Sequence, residues 1–112
     1  MFVALWAFEV KPGCQKRFQK VYGPGEDWAN LFRSDSNYRY TQLSHDSEHP
    51  ATFLTLVFWT SRQAYENFMA SHAAEYEGLD AVGEELTRCE RKIGWFESVA
   101  HGKAGREQSS GE

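Results

Sequence analysis

The chain has 112 residues, with 12 basic and 16 acidic side chains and a formal net charge of −4, which is one domain's worth of length. A composition of 41% hydrophobic and 25% charged residues excludes wholesale disorder and a fibrous repeat, and the mild acidity argues against a general phosphate or nucleic-acid binder. Aromatic residues make up 15% of the chain, more apolar surface than a small core needs, which points to a pocket or a subunit interface.

Residues 2–9 are apolar almost throughout and end at Lys11-Pro12-Gly13, the pattern of a strand covered on both faces. No Lys or Arg precedes this run, so it does not read as a signal peptide, and no apolar stretch approaches the roughly 20 residues that cross a bilayer. The expectation is a cytoplasmic protein that binds neither membrane nor nucleic acid, with Cys14 and Cys89 as free thiols. Phe18, Val21 and Tyr22, then Trp28, Leu31 and Phe32, predict a helix over about 14–33. It is interrupted at Gly23-Pro24-Gly25, where proline breaks the hydrogen-bond ladder.

Two β-rich runs follow, Tyr38 to Leu43 and Thr52 to Trp59, separated by a polar segment ending in Pro50. They predict an antiparallel hairpin with a loose loop. Thr60 or Ser61 caps a helix carrying Ala64, Tyr65, Phe68, Met69 and His72 at helical spacing. A second helical stripe runs through Tyr76, Leu79, Gly83, Leu86 and Cys89, with Asp80, Glu84 and Glu85 largely outside it. Lys92 to Val99 closes the domain as a short strand, and from residue 100 to 112 the absence of an apolar anchor predicts a disordered tail.

The order βαββαβ, with an extra helical segment before the last strand, specifies a ferredoxin-like α+β sandwich over residues 1–99, helices on one face. A single such sheet leaves its other face bare. Apolar residues on both faces of the strands therefore predict a homodimer in which two sheets pack face to face.

Phe8-Glu9-Val10-Lys11-Pro12-Gly13, Tyr22-Gly23-Pro24-Gly25 with Asp27-Trp28-Ala29-Asn30-Leu31-Phe32-Arg33, Phe58-Trp59-Thr60-Ser61-Arg62-Gln63-Ala64-Tyr65 with Phe68, and Ile93-Gly94-Trp95-Phe96 carry a family likeness. Together they resemble the antibiotic biosynthesis monooxygenase domain over about residues 2–97. The resemblance implies a ferredoxin-like monomer that dimerises into an α/β barrel. It also implies a cofactor-independent monooxygenase that oxidises an aromatic or quinol-like molecule with dioxygen, without a bound metal or flavin. A non-catalytic dimeric small-molecule-binding or stress-related domain is the competing expectation, because fold does not choose a reaction. Haem-degrading relatives use an Asn in the first strand with a Trp and a His on the helical side. Trp6, Phe68 and a glycine near 78 stand in the approximate places of these here, which argues against haem degradation.

Within this frame His72 is the candidate catalytic residue, an imidazole able to accept a proton from a phenolic substrate. A helix-terminal histidine resting on the last carbonyls is the plainer alternative. Trp6, Trp28, Trp59, Tyr65 and Tyr76 are the candidate substrate-binding residues, with Tyr22 as a further hydroxyl and Trp95 as a further ring. For any single ring a large core or interface residue is the plainer reading, and one or two of the set are expected to line a cavity. The cluster His45, Asp46, Glu48 and His49 reads as a solvated turn rather than a metal site, and Arg33, Arg39 and Arg62 as surface arginines.

Overall fold

The computed structural model describes residues 1–100 and Gly102; the rest of the expected 100–112 tail lies outside the described residues. Four strands form one antiparallel sheet in the order β2-β3-β1-β4. They are β1 (Phe2–Val10), β2 (Tyr38–Asp46), β3 (His49–Trp59) and β4 (Thr87–Glu97). The helices are α1 (Gln15–Tyr22), α2 (Asp27–Phe32), α3 (Arg62–Ser71) and α4 (Ala73–Leu86). This is the expected ferredoxin-like α+β arrangement.

Side-chain alternation in β1 sets the layers. Phe2, Ala4, Phe8 and Val10 are buried under the helices, while Val3 and Leu5 point to the opposite face of the sheet. On β3, Phe53, Thr55 and Trp59 share the covered face, and Leu54, Leu56 and Phe58 share the other. Trp59 is the centre of the core, fully buried and 5.2–5.8 Å from the rings of Phe32, Tyr38, Tyr65 and Phe68.

The interruption expected at Pro24 is complete: the first helical region is two separate helices. Glycine at position 25 takes φ +75°, a left-handed conformation that side-chain-bearing residues avoid, and α2 then restarts at Asp27. Ser61 is the cap of α3, its Oγ accepting from the Ala64 N–H at 3.1 Å.

Two expectations are corrected. The hairpin loop is not loose: β2 runs to Asp46 and β3 starts at His49, so only Ser47 and Glu48 connect them. Asp46 organises this tight turn, accepting from the Glu48 N–H at 2.8 Å and lying 3.2 Å from His49 Nδ1. The last strand starts at Thr87 rather than Lys92 and ends at Glu97, so Cys89 lies in β4 and is exposed rather than on a helical stripe. Pairing with β1 overrides the helical spacing here, since Glu90 lies opposite Phe8 and Cys89 opposite Glu9 in the register. The switch is anchored by Lys11 N–H donating to the Leu86 carbonyl at 2.9 Å.

Candidate functional site

Between the covered face of the sheet and the helices lies a partly open cavity lined largely by aromatic residues. β1 contributes Trp6 and Phe8, and α1 and α2 contribute Tyr22, Trp28 and Phe32. Thr41, Thr55 and Val57 form its sheet floor, Tyr65 and Met69 come from α3, Tyr76 and Asp80 from α4, and Glu90 from β4. Strand periodicity explains the sheet contribution, because Trp6, Phe8, Thr55 and Val57 are same-face positions on adjacent strands.

The ring walls support one another. Trp28 meets Tyr76 edge-on at 5.4 Å and packs 6.2 Å from Tyr22, while Tyr22 stacks on Phe18 at 4.4 Å. The Trp28 indole N–H is buried without a hydrogen-bond partner. Thr41 holds its hydroxyl 2.6 Å from that of Tyr38. The cavity is about 50 Å3; an engineered cavity that binds benzene is about 150 Å3. A ring system therefore enters only if lining side chains swing toward the open end.

The electrostatics of the lining run in one direction. Burial, reinforced by the charges of Glu90 and Asp80, raises the Tyr22 phenol well above the ordinary tyrosine range. Tyr65 is pushed up to about 12, again first by burial. Tyr76 is raised by burial and then by Asp80 and Glu90. Glu90 is an exposed residue at the cavity edge, and the partial burial of its carboxyl, then Asp80 and Glu84, raise it above the ordinary carboxylate range. No Lys, Arg or His stands among the lining residues.

Of the residues expected from sequence, Trp6, Trp28, Tyr65 and Tyr76 converge on this cavity, and Tyr22 joins them. Trp59 does not line it: at 0% exposure it fills the core beneath. His72 stands off the cavity, at the junction of α3 and α4. Its ring stacks on Phe68 at 4.0 Å and its Nδ1 lies 3.1 Å from the Phe68 carbonyl oxygen, the geometry of the helix-terminal alternative. Trp95 also lies outside the lining, with Lys92 Nζ 3.8 Å and the Arg62 guanidinium 4.8 Å from its ring centre. Arg62 further pairs with Glu66 at 2.9 Å, and Arg33 and Arg39 border a separate surface groove.

Asp80 and Glu90 were not legible as site residues. Asp80 falls off the apolar stripe, and Glu90 is placed only by the register of β4 against β1. Among the described residues no group of three or more His, Cys, Asp or Glu side chains is arranged to hold a metal ion, the hairpin cluster at 45–49 included. No helix is long and apolar enough to cross a membrane.

The sequence model of the antibiotic biosynthesis monooxygenase family matches residues 1–75. Among solved structures, SnoaB, a cofactor-independent oxygenase from Streptomyces nogalater, is 15% identical with a TM-score of 0.73, over 89% of this chain and 94% of that one. A candidate antibiotic biosynthesis monooxygenase from Deinococcus radiodurans is 14% identical with a TM-score of 0.73, over 95% and 100%. Another from Bordetella bronchiseptica is 16% identical with a TM-score of 0.72, over 88% and 97%. A search of curated protein sequences finds no match. At these identities the likeness of the structures is one of fold.

Proposed function

Since the chain belongs to the antibiotic biosynthesis monooxygenase family, we propose that its cavity is an oxygenation site for a small electron-rich aromatic or quinol-like molecule, working without a bound cofactor. The carrying observation is the aromatic-lined cavity between sheet and helices, with Trp6, Trp28, Tyr65 and Tyr76 as its substrate-binding walls. SnoaB, of the same fold, is itself described as a cofactor-independent oxygenase.

In such a reaction the substrate donates electrons to dioxygen directly. For a ring methylene, the two C–H bonds break, one oxygen atom becomes the carbonyl of the product and the other leaves as water with both hydrogens. The protein's part is to bind the ring, orient it through hydroxyls and exclude water. His72 is the proton acceptor expected from sequence, and its place outside the lining residues makes its substitution the first test. Oxygen uptake is measured with anthrones, hydroquinones and phenols for the parent and for His72→Ala. Uptake with one class and formation of the oxidised product support the reading; no uptake across the panel overturns it. Unchanged turnover in His72→Ala removes that residue from the mechanism.

A non-catalytic binding domain is the second reading, favoured by the small size of the cavity and the absence of an imidazole from its lining. It is distinguished by ligand binding without oxygen uptake.

The same proposal includes a homodimer, in the cytoplasm. The uncovered sheet face carries Val3, Leu5, Leu54, Leu56 and Phe58, and Tyr40 and Phe96 are 49% and 50% exposed. A second copy of this face would bury it.

A further inference from the structure

We propose that the cavity selects an organic cation: a protonated amine whose ammonium lies among the rings of Tyr22, Trp28 and Tyr76 and faces the carboxylates of Asp80 and Glu90. This rests on reading the cavity as a small-molecule site, and it adds the charge of the ligand.

Lining chemistry carries the inference. Asp80 and Glu90 are its two carboxylates, and no basic side chain stands among the lining residues. Among the described residues neither carboxylate is held in an ion pair. Along β4, Arg88 and Arg91 flank Glu90 without forming an ion pair with it, and Lys92 has its ammonium 3.8 Å from the centre of the Trp95 ring. Aromatic faces carry negative potential and attract cations, most strongly where water is excluded. Trp28, only 7% exposed, supplies such a buried ring surface.

The same environment is hostile to anions. Glu90, Tyr22 and Tyr76 are all pushed toward their neutral forms, first by burial and then by neighbouring acidic groups. A bound carboxylate would add one more negative charge to this set. A bound ammonium would relieve it, and the present space of about 50 Å3 suits a small head group better than a ring system.

The test compares 2-phenylethylamine, 2-phenylethanol and phenylacetate at pH 7, ligands of similar shape that differ in charge. Binding to the full chain is followed by intrinsic tryptophan fluorescence. The expected order is amine, then alcohol, then carboxylate, with the amine about tenfold tighter than the alcohol. In the Asp80→Asn/Glu90→Gln double variant the amine should lose that advantage, so that amine and alcohol bind within about twofold of each other. Each single variant should lose part of it, which keeps the test open if the double variant fails to fold. Equal binding of all three, or a preference for phenylacetate, overturns the charge selection while leaving the cavity a small-molecule site. Binding of none of the three overturns the charge selection, and the oxygen-uptake panel then decides the oxygenation reading by itself.

Discussion

The Tyr22 hydroxyl occupies the space that a side chain at position 83 would need: a Cβ built on Gly83 collides with it. α1 and α4 therefore approach each other at a point where the helix surface is bare backbone, and the Tyr22 ring is held in place as a wall of the cavity. Glycine inside a helix costs about 1 kcal/mol relative to alanine, and here the missing Cβ is what makes room for the Tyr22 ring.

Substituting Gly83 tests this balance. Gly83→Ala gains about 1 kcal/mol of helix propensity but forces an overpacked contact that costs about 1–3 kcal/mol. The net expectation is a lower thermal midpoint for Gly83→Ala. Combining it with Tyr22→Phe, which removes the clashing oxygen, should recover stability beyond the sum of the single changes. Additive effects in that double-mutant cycle would show that the two residues do not compete for space.

Trp59 and His72 should separate structure from ligand binding. Trp59→Ala removes the central core ring and should cost about 3–5 kcal/mol in denaturant unfolding. His72→Ala should leave binding of cavity ligands within about twofold of the parent, because its ring rests on Phe68 outside the lining. Loss of binding in His72→Ala, with unfolding unchanged, would place the imidazole in contact with the ligand.

Glu90 makes stability depend on pH in a defined direction. Its folded carboxyl holds a proton above the ordinary value of 4.5, so the folded state binds that proton more tightly than the unfolded chain. Its contribution is most favourable below that ordinary value and declines as pH rises through the folded one. Glu90→Gln should therefore raise the thermal midpoint at pH 7 and leave it close to the parent's at pH 4. A lower midpoint at pH 7 would mean that the charged form makes a stabilising contact.

For the outer sheet face, light scattering at micromolar concentration should give twice the 12.9 kDa chain mass. Leu56→Glu, on the face away from the core, should yield a folded monomer by burying no charge in the subunit itself. A parent mass of one chain would remove the dimer.

The sequence alone determined which residues must be covered and in what order the elements run. The apolar run of β1, helical spacing around Phe18 and Tyr65, the Ser61 cap and the break at Pro24 are local properties, and the α+β fold follows from them. The aromatic excess likewise pointed to a pocket or a subunit interface, and Trp6, Trp28, Tyr65 and Tyr76 lie on covered faces where a pocket could form. Only the tertiary structure decided which rings border space and which fill it. Trp59 and Trp28 look alike in pattern, yet one is enclosed by four rings and the other meets the cavity. His72 stands outside the cavity lining, its ring stacked on Phe68 where α3 gives way to α4. Glu90 entered it because long-range pairing sets it opposite Phe8. Such placements depend on contacts between residues far apart in the chain, and those contacts leave no periodic trace in the sequence around them.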